Sequence, residues 1–522
     1  MFSRIYSAGL RGVDGFEVTV ECSGWNRLPA FNLVGLPDNA VKEATDRVRF
    51  ACENSGYTFP KLDLMVNLAP AHLKKEGSGF DIAILCSLLQ CDGCISRELD
   101  LSDWCMVGEL SLSGEIRPID GVLCLCLAAR DAGRKKMAVP MENLREAAVV
   151  EGMEVYGFRT LRELVEHLCG RARKAPAAFD RDALLARADE ETAPDMSEVR
   201  GQYMAKRAME IAAAGGHHLL MVGPPGSGKS MLAKRMGGIL PPLTFEESLE
   251  VSRIHSVVGQ LPGGLMTARP FRSPHHTVTV AGMVGGGSSP RPGEISLAHR
   301  GVLFLDELPE FGKAVCEALR QPLEDGRVTV TRVAGRFEFP AEFTLVCAMN
   351  PCRCGYFGDP NHTCTCTARE VRGYLDKVSG PLLDRLDLQV EVPAVSYEDM
   401  SGKTKPGEPS ARIRERVCRA RAFAAARFAA AGDKCLCNAS MTVAQLRRHC
   451  ALDEAADKLL SDAFAKMGMS ARGHDRILRV ARTIADLDES PNIRAEHIAE
   501  AIQYRSLDRK YWQRQAATPR KA

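Results

Sequence analysis

The chain has 522 residues, too many for one ordinary domain and enough for about two to four. Apolar residues make up 45% and charged residues 26%, the balance of a soluble globular protein, and aromatics at 6% argue against a surface of many stacked aromatic platforms. Lys+Arg 68 against Asp+Glu 66 leaves a formal charge of +2, which excludes a generally basic nucleic-acid coat and an acidic tail but allows a local basic lining.

The first residues, MFSRIYSAGLRGVDGFEV, contain no apolar core of a secretory signal. No apolar run reaches the roughly 18 residues of a membrane span. The expectation is a cytoplasmic protein without a membrane partner. Its 19 cysteines are then mostly buried thiols acting as small hydrophobes.

Residues 1–168 read as one α+β unit. Strand-like text opens it at 16–22 and recurs at 62–67, with helical stretches at 40–55 and 80–89. Residues 169–194 are small, charged and proline-rich, the composition of a linker. A second unit runs over 195–393, a Gly/Pro/Lys linker over 394–410, a helix-rich unit over 411–510 and a basic tail over 511–522. No repeat of about 20 to 50 residues is visible.

The sharpest signal opens the second unit. The apolar strand text Leu219-Leu-Met-Val runs into Gly223-Pro224-Pro225-Gly226-Ser227-Gly228-Lys229-Ser230, and helical text follows. Glycines at 223, 226 and 228 let backbone N–H groups turn inward around a phosphate, and the next helix presents its N-terminus to the same anion. Lys229 puts a point charge at the β/γ-phosphates of ATP, and Ser230 is a Mg²⁺ ligand. Downstream, Val302-Leu-Phe-Leu ends in Asp306-Glu307. Asp306 is placed to hold the Mg²⁺ shell and Glu307 to polarise an attacking water.

Residues 327–339 alternate on both sides of Ala334-Gly335, which reads as a hairpin with Arg332 and Arg336 beside its tip. A two-residue turn would place these arginines on opposite faces and a three-residue loop on one face. The strand text at 343–349 ends in Asn350, suited to orienting a water between the γ-phosphate and Glu307. Cys352, Cys354, Cys364 and Cys366 follow in a loop rich in Gly, Pro and Asn, and two thiolate pairs are a candidate zinc site. Residues 411–421 carry five arginines against one glutamate; they read as a solvated face of a lid helix, with DNA contact as the alternative.

Three segments carry a resemblance: Pro270-Phe-Arg-Ser-Pro-His-His276, the run from Pro292 through Asp306-Glu307 to Phe311, and Ser379-Gly-Pro-Leu-Leu-Asp-Arg-Leu-Asp-Leu388. In these the chain resembles the ComM/YifB subfamily of magnesium-chelatase-like AAA+ ATPases, along nearly its whole length. The resemblance implies an α/β AAA+ P-loop core with an N-terminal Lon-protease-like domain and a C-terminal helical lid. It implies a homo-oligomeric ring, a hexamer, with ATP at subunit interfaces. It also implies helicase or branch-migration work on forked, branched or single-stranded DNA in natural transformation.

By the same resemblance Arg385 is the finger that reaches a neighbour's γ-phosphate. Arg472, in Ser470-Ala-Arg-Gly473, reaches the phosphates in cis, with Arg476 and Arg479 close by. Residues 195–202 wrap the adenine, and the 327–339 hairpin lies in the ring's pore. Residues 108–121 resemble Lon-type peptidases, which activate a serine with a lysine; residues 122–129 contain no lysine, and Ser78 then lacks a partner. The N-terminal unit is therefore expected to be non-proteolytic. Rival readings are a magnesium-chelatase motor inserting metal into a porphyrin, an ATP-dependent peptidase, and a nucleotide-gated scaffold.

Overall fold

The computed structural model describes residues 1–181, 194–395 and 406–513, apart from 262, 288, 333, 334, 361, 436 and 468. Most of the expected linker text at 182–193 and 396–405, and the tail from 514, lie outside the described residues.

The N-terminal sheet has seven strands in the order Ala30–Val34, Asp63–Ala69, Asp14–Trp25, Phe2–Arg11, Trp104–Met106, Lys136–Pro140, Glu154–Phe158. The chain enters through Phe2–Arg11, a strand that the sequence reading passed over. Its text mixes serines, a glycine and arginines with apolar residues, so no clean alternation shows. Tertiary contacts satisfy those polar groups: Ser3 Oγ donates to the Ser87 carbonyl at 2.7 Å and Ser7 Oγ to that of Met106 at 2.8 Å. Helix Asp81–Asp92 is buried from Asp81 to Cys91 and covers the Phe2–Arg11 and Asp14–Trp25 strands. All 19 cysteines are free thiols, and none is exposed.

The second sheet is five-stranded and wholly parallel, in the order Phe271–Arg272, Val302–Leu305, Thr344–Met349, Leu219–Val222, Leu388–Glu391. Its three central strands are buried at every position, which is why they read as unbroken apolar runs rather than alternation. Their C-terminal ends carry Gly223, Asp306 and Asn350 to one edge, where ligands of open α/β sheets sit.

Helix Phe245–Val257 ties the two sheets together. A capping box starts it, with Thr244 and Glu247 bonding reciprocally. Its far end meets the N-terminal unit: Gly121 N donates to the Ser256 carbonyl at 3.0 Å, Ser256 Oγ to Glu146 at 2.5 Å, and Arg253 pairs with Asp14 at 2.8 Å.

The C-terminal region is helical: Ser410–Ala430, Val443–His449, Glu454–Met467, Ala471–Leu487 and Ala495–Gln503. The first of these turns much of its basic charge inward. Arg416 pairs with Glu210 and Glu408, and half-buried Arg421 donates to the Ala213 carbonyl at 2.7 Å. Arg416 and Arg421 are thus tied to neighbouring groups rather than lying on the solvated face expected of 411–421, whereas Arg412 and Arg419 are exposed.

Candidate active site

Strand Leu219–Val222 delivers the chain into the phosphate loop, and Gly228 caps helix Lys229–Lys234 at φ 89. Gly223 is needed for a close approach: a Cβ there would stand 2.0 Å from the Val392 carbonyl oxygen. Lys229 Nζ folds back over the loop. It donates to the carbonyls of Gly223 at 2.7 Å and Pro224 at 2.8 Å, to Ser227 Oγ at 3.3 Å and to Asn350 Oδ1 at 3.2 Å. Burial pulls its ammonium down from 10.5 to about 8, against the opposing pull of Asp306 and Glu307.

Ser230 Oγ donates to Asp306 Oδ2 at 2.5 Å. A hydroxyl and a carboxylate in contact at the end of a phosphate loop form the hard all-oxygen donor set that fits Mg²⁺. Glu307 is exposed and held at φ 54, a left-handed conformation that a non-glycine residue adopts only under constraint. The cis set of Lys229, Ser230, Asp306, Glu307 and Asn350 thus assembles from three strand ends. The 195–202 segment borders it: Asp195 caps the turn Met196–Glu198, Arg235 donates to the Asp195 carbonyl, and Gln202 Nε2 reaches the Pro393 carbonyl at 2.8 Å.

Arg385 lies elsewhere. It lines a cavity of about 690 Å³ between the core and the lid, to which no phosphate-loop residue contributes. It donates to the Pro381 carbonyl at 2.6 Å and pairs with Glu324 at 2.5 Å. Arg472, Arg476 and Arg479 line the same cavity. Arg472, expected to reach the phosphates of its own chain, is exposed in the first turn of helix Ala471–Leu487, on the side of this cavity.

Two residues here escaped sequence reading. Asp387 is buried; its carboxylate faces His217 Nδ1 at 3.3 Å and Arg476 Nε at 3.3 Å, which couples the Arg385 loop to the lid. Glu324, the Arg385 partner, lies 61 residues away in sequence. The Leu-Asp following Arg385 was the only sequence signal for Asp387, and none existed for Glu324.

The hairpin forms from Arg327–Arg332 and Gly335–Pro340, with Arg332 opposite Gly335 and Thr331 opposite Arg336. Gly335, expected in the turn, instead pairs opposite Arg332; Val333 and Ala334 lie outside the described residues. This register sets Arg332 and Arg336 on opposite faces. Arg336 pairs with Glu338 at 2.7 Å, and Arg11 of the N-terminal unit stands over the Phe337 ring.

The four cysteines converge. Every pair of Sγ atoms among Cys352, Cys354, Cys364 and Cys366 lies within 4.8 Å. Backbone N–H groups of the loop, led by that of Tyr356, hold the Cys354 thiol down to about 5. In the N-terminal unit the Ser78 hydroxyl donates to the Glu109 carboxylate rather than to a lysine. A carboxylate in place of a lysine does not supply the base that Lon-type chemistry uses.

A five-stranded parallel P-loop sheet with an acidic strand end, a polar third strand end and a helical C-terminal region defines an AAA+ ATPase core. Family models described as "Magnesium chelatase, subunit ChlI", "Subunit ChlI of Mg-chelatase" and "Magnesium chelatase, subunit ChlI C-terminal" match residues 195–400, 18–143 and 407–505. Competence protein ComM of Haemophilus influenzae is 41% identical over 512 residues, covering 97% of each chain. YifB of Escherichia coli is 40% identical over 509 residues, again covering 97% of each. Lon protease 1 of Hydrogenovibrio crunogenus is 30% identical over 112 residues, covering 20% of this chain and 13% of its own. The chain belongs to the ComM/YifB subfamily of magnesium-chelatase-like AAA+ ATPases. Among the described residues no helix is long and apolar enough to cross a membrane.

Proposed function

We propose that the protein is an ATP-hydrolysing ring motor, a hexamer, that moves DNA branches in the cytoplasm. The supporting observation is the division of charge between two places. Lys229, Ser230, Asp306, Glu307 and Asn350 gather at one edge of the sheet, while Arg385 and Arg472 line a separate arginine-rich cavity. A ring reconciles them, because one subunit's cavity face meets the next subunit's phosphate loop.

In this reading Lys229 binds the β- and γ-phosphates in place of the carbonyls it now contacts. Ser230 and Asp306 hold Mg²⁺, whose charge neutralises the phosphate oxygens when bound. Glu307 takes the proton of the attacking water, and Asn350 fixes that water's orientation. Arg385 leaves Glu324 for the neighbour's γ-phosphate, so hydrolysis depends on assembly. Arg472 serves the same neighbouring nucleotide, since it shares that cavity. Arg332 and Arg336 contact DNA phosphates, Arg336 giving up Glu338 to do so. Cys352, Cys354, Cys364 and Cys366 hold a structural zinc ion. The N-terminal unit serves assembly or DNA contact rather than proteolysis.

DNA as the substrate draws support from the Haemophilus influenzae relative, a competence protein. The family models favour one rival, a chelatase-type metal-insertion motor. The test is ATPase rate with and without forked, four-way and single-stranded DNA, beside a strand-exchange readout. Stimulation by branched DNA with strand exchange supports the motor. A rate indifferent to every DNA points to the chelatase or a nucleotide-gated scaffold.

A further inference from the structure

The four-cysteine loop meets the phosphate loop at two places. Asn350, two residues before Cys352, accepts from Lys229 Nζ at 3.2 Å. Gly355, one residue after Cys354, lies on Pro225: a Cβ built there would stand 2.4 Å from Pro225 Cδ and 2.7 Å from its Cγ. Gly355 also sits at φ +89, so both space and backbone favour glycine.

Between these two contacts and the next helix, Ala368–Leu375, the described residues from 351 to 367 form neither helix nor strand. Few backbone bonds hold them, among them Gly355 N to the Cys352 carbonyl and Asp359 N to that of Tyr356. Ordering such a loop costs conformational entropy that so few bonds offset poorly. The thiols offer the missing tie. Sγ of Cys352 lies 3.3 Å from that of Cys354 and 3.7 Å from that of Cys364, and Cys354 to Cys364 is 3.5 Å. A tetrahedral zinc with Zn–S near 2.3 Å needs sulfurs about 3.8 Å apart. These three separations lie within about half an ångström of that value, and Cys366 Sγ lies within 4.8 Å of the other three.

We infer that the metal in this cluster braces the phosphate loop, so that nucleotide binding depends on zinc. The inference rests on the zinc reading above. Zinc replaces the thiol protons, which pass to solvent, and fixes Cys352, Cys354, Cys364 and Cys366 relative to one another. That conformation presses Gly355 on Pro225 and sets Asn350 against Lys229. Without the metal the loop relaxes and both supports of the phosphate loop move.

The experiment uses the full chain made with zinc supplied and kept reduced. Zinc is counted by mass spectrometry, and a fluorescent ATP analogue is titrated before metal removal, after it, and after zinc is restored. The expected result is about one zinc per chain, with nucleotide affinity falling about tenfold or more on removal and recovering on restoration. Gly355→Val should keep its zinc, since all four thiols remain, yet bind the nucleotide as weakly as the stripped protein. If stripping unfolds the chain, Gly355→Val decides alone. Unchanged affinity in the stripped protein, or in zinc-loaded Gly355→Val, overturns the brace. Absence of zinc in the supplied protein overturns the zinc reading beneath it, whatever the nucleotide does.

Discussion

Lys229 offers a test that needs no knowledge of the substrate. Burial holds its ammonium at about 8, where an ordinary lysine would titrate at 10.5. At pH 8 about half of the free protein then carries a neutral Lys229, at pH 9 about nine-tenths and at pH 7 about one-tenth. Polyphosphate binding surrounds the amine with negative charge and restores the proton. Nucleotide binding should therefore take up about half a proton at pH 8 and about nine-tenths at pH 9. The sign follows: affinity falls as pH rises through the free protein's value, by about tenfold between pH 7 and 9. The assay is calorimetry with a non-hydrolysable ATP analogue and Mg²⁺ in two buffers of different ionisation enthalpy. The difference in heat between buffers gives the protons taken up. Lys229→Arg keeps the charge at every pH and should abolish both the uptake and the slope. Zero uptake by the wild type at pH 8 and 9, with flat affinity, would refute the claim that this buried lysine meets the phosphates.

Glu307→Gln should bind ATP normally and lose turnover, because it keeps size but not basicity; near-normal hydrolysis would remove Glu307 from the chemistry. Lys229→Ala should weaken nucleotide binding itself in the same titration. Arg385→Ala should form nucleotide-bound rings that hydrolyse about 10³-fold more slowly, and mixing it with Glu307→Gln subunits should partly restore activity. Mixed rings that stay inactive would show that Arg385 does not act across the interface. Replacing Arg332 and Arg336 together with Ala should lower DNA affinity alike for all sequences and flatten its salt dependence by roughly one log–log unit per lost phosphate contact. Basal ATPase should persist, and fluorescence anisotropy of a labelled fork at several salt concentrations reads the change.

The nucleotide half of the site was legible because its chemistry is local. A phosphate loop needs glycines, a lysine and a hydroxyl at fixed spacing, and buried parallel strands need unbroken apolar runs, so 219–230, 302–307 and 344–350 announce themselves. The cysteine spacing likewise marked four residues that do converge. Legibility ended where meaning depends on a partner distant in sequence. Phe2–Arg11 looks too polar for a strand until Ser87 and Met106 receive its serines. The Ser78 contact with Glu109 spans 31 residues and leaves no local signal. Register is a cross-strand property, so only the paired hairpin set Arg332 and Arg336 on opposite faces.

Spacing and periodicity by themselves determined the phosphate loop and its acidic strand end, because each depends on neighbours within a dozen residues, while the AAA+ and Lon-like class of fold followed from the family resemblance. The tertiary structure alone decided which arginines stand together. Arg385 and Arg472 are 87 residues apart in the chain and share one cavity because helix Ala471–Leu487 packs beside the loop that carries Arg385, with Asp387 joining the two through Arg476. The same holds for Gly355 and Pro225, 130 residues apart, whose contact exists only because the Leu219–Val222 and Thr344–Met349 strands lie side by side and bring their following loops to one edge.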